Sequence, residues 1–313
     1  MNKKKLSIIL SFYNEEKNII PSSEKLTNVL KQIENIDYEI IYVNDCSTDK
    51  SLEILVNEHN KNSKIKIINL SRRFGHMPGI MAGLRKCTGD AAIYIDIDLQ
   101  DPPSVIQEMV NFWINENYDV VFTTRKSRSE SYFMKLLSNI GYLILKKTSN
   151  IEIIRDSGDF RLISRRVINE YVKFKEINPF FRFIVDYIGF KKKQIFYDRE
   201  IRLIGKSKFS LLTIFNQFFE ISLAPFSDFP IRFATFFGFI TFFVCSIILA
   251  RTGYLFLIGE QEISTTSIFG AILLFGSFQS LIIGILSIYI GLIHKQTKNR
   301  PLYIVESSIG FEK

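Results

Sequence analysis

From Ile268 to Ile293 the chain runs 26 residues without a charged side chain, and Gln279 is the most polar group in that stretch. A second uncharged run, of 18 residues, extends from Phe233 to Ala250. Stretches this long rarely lack charge in a soluble core, so both read as membrane-spanning helices. At about 1.5 Å of rise per residue they reach roughly 27 and 39 Å against a hydrocarbon core of about 30 Å, so the longer one has to tilt or protrude. Arg232 precedes the first run, and His294, Lys295, Lys298 and Arg300 follow the second, whereas the Arg251–Ser267 connection sets one arginine against Glu260 and Glu262. Basic flanks stay in the cytoplasm, which places the chain before Arg232 and the C-terminal tail there and the connection outside. The basic Met1–Lys5 start leads straight into a strand-like segment, so no signal peptide is expected.

The rest of the 313-residue chain is apolar enough to bury a core, and a net charge of +8 favours an anionic partner without naming it. Cys46, Cys87 and Cys245 are too few and too scattered for a disulfide framework or a cysteine-based zinc site. Residues 1–228 alternate between two patterns. Leu6–Phe12, Tyr38–Asn44, Ile65–Leu70, Ala91–Ile97 and Asp119–Thr123 are short Ile-, Val- and Tyr-rich runs, predicted as strands of a largely parallel sheet. Glu15–Ile33, Asp49–Asn60, Pro78–Lys86 and Pro102–Asn117 read as the helices between them. In such an α/β layout ligands collect at the carboxyl ends of the strands.

Two nucleotide-binding signatures are excluded. After the first strand a dinucleotide fold needs G-x-G-x-x-G, but this chain reads Ser11-Phe12-Tyr13-Asn14-Glu15-Glu16, with carboxylates where a pyrophosphate wants bare amides. Gly205-Lys206-Ser207 resembles the end of a P-loop, yet the first glycine of that motif would fall on Glu200. The informative stretch is Asp96-Ile97-Asp98-Leu99-Gln100-Asp101-Pro102-Pro103, at the end of the fourth predicted strand. Side chains at i and i+2 of a strand share a face, so Asp96 and Asp98 can point together, with Gln100 following as the chain leaves the sheet. Such oxygen ligands suit Mg²⁺ or Mn²⁺, which take one or two carboxylates and complete their shell with water and substrate phosphates.

Tyr13–Glu16, Val43–Asp49, Arg73-Phe74-Gly75-His76, Ala82-Gly83-Leu84, Asp96–Pro103, Ser157–Leu162 and Arg300-Pro301-Leu302-Tyr303 together resemble the polyprenyl-phosphate glycosyltransferases of glycosyltransferase family 2. The likeness is greatest to the bacterial bactoprenol glucosyltransferases and then to the dolichol-phosphate mannose synthases. It implies an α/β GT-A catalytic domain over 1–208, an interfacial amphipathic helix over 209–229, two transmembrane helices within 230–293 (about 231–250 and 268–293) and a cytoplasmic tail over 294–313. It also implies that Tyr13, Glu15 and Asp45 hold the nucleoside, that Asp96, Asp98 and Gln100 form the metal and diphosphate site, and that Asp159 is an active-site acid, catalytic together with Asp98. Arg125, Arg202 and Lys208 match basic groups that meet phosphates. Three positions depart from the pattern: Ser11 replaces a usual proline, Asn44 a frequent aspartate and Cys46 a usual glycine.

The expected reaction is inverting transfer of a hexose, with UDP-glucose as donor and undecaprenyl phosphate as acceptor, by a tetramer in the bacterial inner membrane. Mannose on guanosine diphosphate, an N-acetylhexosamine or an amino-arabinose derivative on uridine diphosphate are the alternatives. A lipid phosphate is already anionic near neutral pH, so Asp159 is read as orienting groups or balancing charge, with a base role open. His76 is read as a loop histidine or a donor-site contact, and Arg161 as a partner of Asp159. Leu211, Leu212, Phe215, Phe218 and Phe219 fall on one side of a helix, which suits the membrane interface or an ordinary packed helix. A processive polysaccharide synthase would carry Q-x-x-R-W, and the lone Trp113 lies elsewhere. A non-catalytic nucleotide-sugar sensor would have shed Asp98 or Gln100, and no nucleic-acid-binding motif appears.

Overall fold

The structure, a computed structural model, describes residues 3–98, 100–125, 157–176, 180–198, 229–259 and 265–311, together with Asn139 and Leu143. Among these residues the strands are β1 (Lys4–Phe12), β2 (Ile36–Asn44), β3 (Ile65–Leu70), β4 (Ala91–Tyr94), β5 (Val120–Arg125), β6 (Ser157–Ser164), β7 (Lys192–Tyr197) and β8 (Val305–Ile309). The helices are α1 (Glu16–Lys31), α2 (Ser51–Lys61), α3 (His76–Lys86), α4 (Val105–Asn115), α5 (Arg165–Tyr171), α6 (Phe181–Ile188), α7 (Phe229–Leu257) and α8 (Thr265–Thr297). The strands form one mixed sheet in the order β7-β5-β6-β4-β1-β2-β3-β8. β1 to β4 run parallel, as the apolar runs predict, but β6 enters antiparallel between β4 and β5, and β8 lies antiparallel to β3.

β1 sits at the centre, and Leu6, Ile8, Ile9 and Leu10 are all fully buried because helices cover both faces. One face packs Leu6, Ile8 and Leu10 against Ile19, Leu26 and Leu30 of α1 and Ile106 and Met109 of α4. The opposite face takes α3, whose small residues let it lie close. A Cβ on Gly83 would stand 2.4 Å from Ile9 Cγ2, and one on Gly79 would stand 2.0 Å from Ser11 Oγ. Overpacking such a contact costs typically 1–3 kcal/mol, so only glycine fits there without moving β1.

β4 ends at Tyr94, three residues short of the predicted Ile97. The β-branched Ile95 and Ile97 prolong the strand pattern, but beyond Ile95 N–H, which donates to Ile9 O at 3.1 Å, the backbone turns. The prolines at 102 and 103 start a tight turn, with Val105 N–H bonded to Pro102 O at 3.2 Å, and α4 begins only after it. The C-terminal tail, given no element from its sequence, supplies β8, so Arg300–Lys313 belongs to the same compact unit as the sheet.

The second unit contains α7 and α8. Both helices outrun their uncharged stretches. α7 continues through Arg251 to Leu257, which shortens the connection predicted over Arg251–Ser267. Phe236, Phe239, Phe242, Phe243, Leu273 and Leu274 are exposed along them, and segments of 27 and 30 residues have the length and composition to cross a membrane.

Candidate active site

The loops that follow β1 and β2 knit into one surface at the carboxyl end of the sheet. After β1, Asn14 takes a left-handed backbone (φ 56°), its N–H donates to Ser47 Oγ at 2.9 Å, and its Oδ1 accepts from Thr48 N–H at 2.8 Å. Glu16 N–H donates to Asp49 Oδ2 at 3.2 Å. The two motifs Tyr13–Glu16 and Val43–Asp49 are thus neighbours in space. Glu15 is held by Asn18 Nδ2 at 2.6 Å, and the Tyr13 ring carries the Arg73 guanidinium 4.3 Å from its centroid.

Asp45 is 3% exposed, and its two oxygens accept from Phe74 N–H at 2.7 Å and Gly75 N–H at 2.8 Å. Asp45 therefore anchors the loop that opens α3, where Gly75 needs its positive φ of 102°. Cys46 takes φ 58°, which accounts for the glycine expected there. The other departure, Asn44, donates through Nδ2 to Asn69 Oδ1 at 2.8 Å and accepts from Ser47 N–H at 3.1 Å, two opposite tasks that an ionised aspartate cannot combine.

Asp96 and Asp98 lie in the turn after β4, both half-buried, with Ile97 buried between them. The alternation predicted for a strand survives although the strand does not. Asp98 Oδ1 accepts from Gln100 N–H at 3.2 Å. Asp96 Oδ1 accepts from the Tyr94 hydroxyl at 2.7 Å, and that hydroxyl, its proton committed, lies 3.0 Å from His76 Nε2 and can accept from the imidazole. Tyr94 is 1% exposed, and burial first, then the Asp96 charge and hydrogen bond, raise its pKa well above the ordinary phenolic value. Sequence reasoning missed Tyr94, yet the same i, i+2 rule that links Asp96 with Asp98 reaches back to it.

β6 delivers Asp159 to this end of the sheet. Its register pairs Arg161 with Tyr94, so Asp159, two residues earlier on an antiparallel strand, lies towards Asp96. Asp159 Oδ1 sits 3.8 Å from Arg182 Nε of α6. Arg161, expected as its partner, is fully buried and instead donates to Gly158 O at 3.0 Å, with Asp186 Oδ1 3.7 Å from its Nη1. Arg125, at the end of β5, donates to the Tyr197 hydroxyl at 3.3 Å, and Tyr197 donates to the buried Asp101, whose Oδ1 is 4.0 Å from Arg125 Nη2. Burial, followed by the Asp101 charge, pushes the Tyr197 hydroxyl up to about 12. Burial works against the Arg125 cation, but Tyr197 and Asp101 outweigh it and raise its pKa. Arg202, Lys208 and residues 209–228 of the expected interfacial helix lie outside the described residues.

Five sequence-predicted groups, Asp96, Asp98, Gln100, Asp159 and Arg125, thus come from three separate segments to one end of the sheet, beside the knitted loops that carry Tyr13, Glu15 and Asp45. The model of the family described as Glycosyl transferase family 2 matches residues 7–172, which includes all of these elements up to α5. The chain belongs to glycosyl transferase family 2. Its fold is the GT-A arrangement of a mixed sheet flanked by helices. The family 2 likeness extends beyond the matched segment. The uncharacterized glycosyltransferase YkcC of Bacillus subtilis is 38% identical, over 98% of this chain and 94% of that protein. A bactoprenol glucosyl transferase of Shigella phage SfX is 33% identical, over 97% and 99%. A prophage bactoprenol glucosyl transferase homolog of Escherichia coli is 32% identical, over 96% and 98%.

Proposed function

We propose that this glycosyltransferase moves glucose from UDP-glucose to a polyprenyl phosphate, undecaprenyl phosphate in a bacterial inner membrane, with inversion at the anomeric carbon. The observation that carries the reading is that Asp96 and Asp98, in the turn after β4, lie at the same end of the sheet as Asp159 on the neighbouring β6. It is supported by near full-length relatives named for bactoprenol glucosyl transfer and by two helices long and apolar enough to cross a membrane. The catalytic domain faces the cytoplasm, where nucleotide-sugars are made. The product is a lipid-linked sugar for cell-surface glycan or lipopolysaccharide modification, and the assembly is a tetramer.

Tyr13, Glu15 and Asp45 serve the nucleoside: Tyr13 offers a ring face, Glu15 a carboxylate, and Asp45 holds the neighbouring loop in place. Asp96, Asp98 and Gln100 hold Mg²⁺ or Mn²⁺. The donor set fits an open site, since two half-buried carboxylates leave positions for water and phosphate oxygens. A divalent ion there supplies charge stabilisation for the departing diphosphate. Asp159, paired with Arg182, orients groups at the reacting centre and balances the positive charge that grows at the anomeric carbon. Arg125, Arg202 and Lys208 meet phosphate groups, and the lipid phosphate attacks without needing a strong base.

Incubating the purified protein with a panel of nucleotide-sugars and undecaprenyl phosphate, then weighing the lipid product by mass spectrometry, tests the reaction. A hexosyl adduct from UDP-glucose is expected, and its absence with every donor overturns the reading. Asp98→Asn keeps the size of the side chain and removes ligand charge, so turnover falls by orders of magnitude while the melting temperature holds. Unchanged turnover would remove Asp98 from the site.

A further inference from the structure

A chain of side-chain amides crosses β2, β3 and β8, and it has a direction. Glu306 on β8 accepts from Asn69 Nδ2 at 2.7 Å, Asn69 Oδ1 accepts from Asn44 Nδ2 at 2.8 Å, and Asn44 Oδ1 accepts from Ser47 N–H at 3.1 Å. Ser47 in turn receives the Asn14 N–H on its hydroxyl at 2.9 Å. An ionised carboxylate only accepts and a backbone N–H only donates, so the two ends of the chain dictate which way both amides point. Asn44 and Asn69 are 1% and 7% exposed, so an amide reversed at either place sets like groups against each other out of reach of water. The residue before β8 also bonds the loop after β3 directly, because Ser71 N–H donates to Ile304 O at 3.0 Å just before Arg72.

We infer that Glu306 is a positioning residue for the nucleotide-sugar site: through Asn69 and Asn44 its carboxylate fixes the Asp45–Thr48 loop against the Tyr13–Glu16 loop. The inference rests on the donor site proposed above, but it makes a claim of its own, that the sign of the group at position 306 is read at Ser47.

The test uses the full-length protein in detergent with two measurements: hydrogen exchange of the peptide covering residues 44–50, and the dissociation constant of UDP by calorimetry. Glu306→Gln keeps an acceptor and behaves as the wild type. Glu306→Ala takes the acceptor from Asn69 Nδ2 and weakens UDP binding about fivefold, the scale of one hydrogen bond. Glu306→Lys offers donors alone, drives both amides to reverse and turns an NH₂ towards Ser47 N–H, so exchange is fastest and UDP binding falls by about 20-fold or more. Adding Asn69→Asp to Glu306→Lys supplies a group that accepts from both sides, and both readouts return to within about twofold of the wild type. A merely structural contact would not be rescued by that reversal. A Glu306→Lys variant that matches the wild type in exchange, or a double variant that melts normally yet stays as impaired as Glu306→Lys, overturns the inference. A wild type that binds no UDP overturns the donor-site reading instead, and the order of exchange rates, which needs no nucleotide, still decides the amide chain.

Discussion

Tyr94 shows how one hydroxyl can prepare an acidic site. Its single proton goes to Asp96 at 2.7 Å, and its ring is packed edge-on against His76 and Phe181, with centroids 5.1 and 6.1 Å away, so the carboxylate is held by a group that itself cannot turn. Partners behind a metal-binding carboxylate are typically worth 10- to 100-fold in metal affinity. Tyr94→Phe keeps the packing and deletes the donor, so the Mn²⁺ dissociation constant, read from the resonance of the free ion, is expected to rise about tenfold. A Tyr94→Phe protein that binds Mn²⁺ as the wild type does would reduce Tyr94 to a packing residue. The Asp159–Arg182 pair has the opposite character, since 3.8 Å is too long for a hydrogen bond and, among the described residues, the buried Asp159 Oδ1 has no hydrogen-bond partner. Such an oxygen can accept from a sugar hydroxyl.

At the level of elements, β2 carries its own charge at the centre of the sheet. Glu39 is 1% exposed, accepts from Ser7 Oγ at 2.6 Å and Thr88 N–H at 2.7 Å, and pairs with Lys66 Nζ at 2.8 Å. Burial alone would raise its pKa, but the hydrogen bonds from Lys66, Ser7 and Thr88 win and lower it from 4.5 to about 2. A depressed pKa stabilises the fold above the unfolded value, and that contribution, on the order of 3 kcal/mol, is lost as pH falls from about 4.5 towards 2. Glu39→Gln is therefore expected to melt lower at pH 7 and to show a flatter loss between pH 5 and 3, measured by thermal unfolding in detergent. Parallel curves for both proteins would clear Glu39 of the acid response. The strands that were legible in the sequence, β1 to β5, are apolar runs whose burial writes the pattern, and the acidic turn after β4 was legible from residue types alone. β8 was not, because Val305–Ile309 is an edge strand with three polar residues and its register is set by β3, far back in the chain. Arg182 escaped for a similar reason: its pairing with Asp159 depends on how α6 meets β6, which no local period encodes.

For the molecule as a whole, the sheet constrains the membrane topology independently of the charge rule. The chain leaves the sheet unit before α7 and returns to it as β8, so the number of crossings between them has to be even, and two spanning helices satisfy this. A cysteine placed by Glu260→Cys is expected to react with an impermeant maleimide added outside intact cells, and one placed by Lys298→Cys is not. The reverse pattern would put the acidic site on the wrong side for cytosolic nucleotide-sugars. The return of β8 also sets a timetable for biogenesis. Asn69 leaves the ribosome early, but its partner Glu306 is 237 positions further on and follows both long helices. The edge of the sheet is thus completed only after both long helices have been synthesised. If Glu306 sets the donor loop, a nascent chain stalled short of β8 holds an anchored but unfinished enzyme, and sugar transfer waits for the rest of the message to be read.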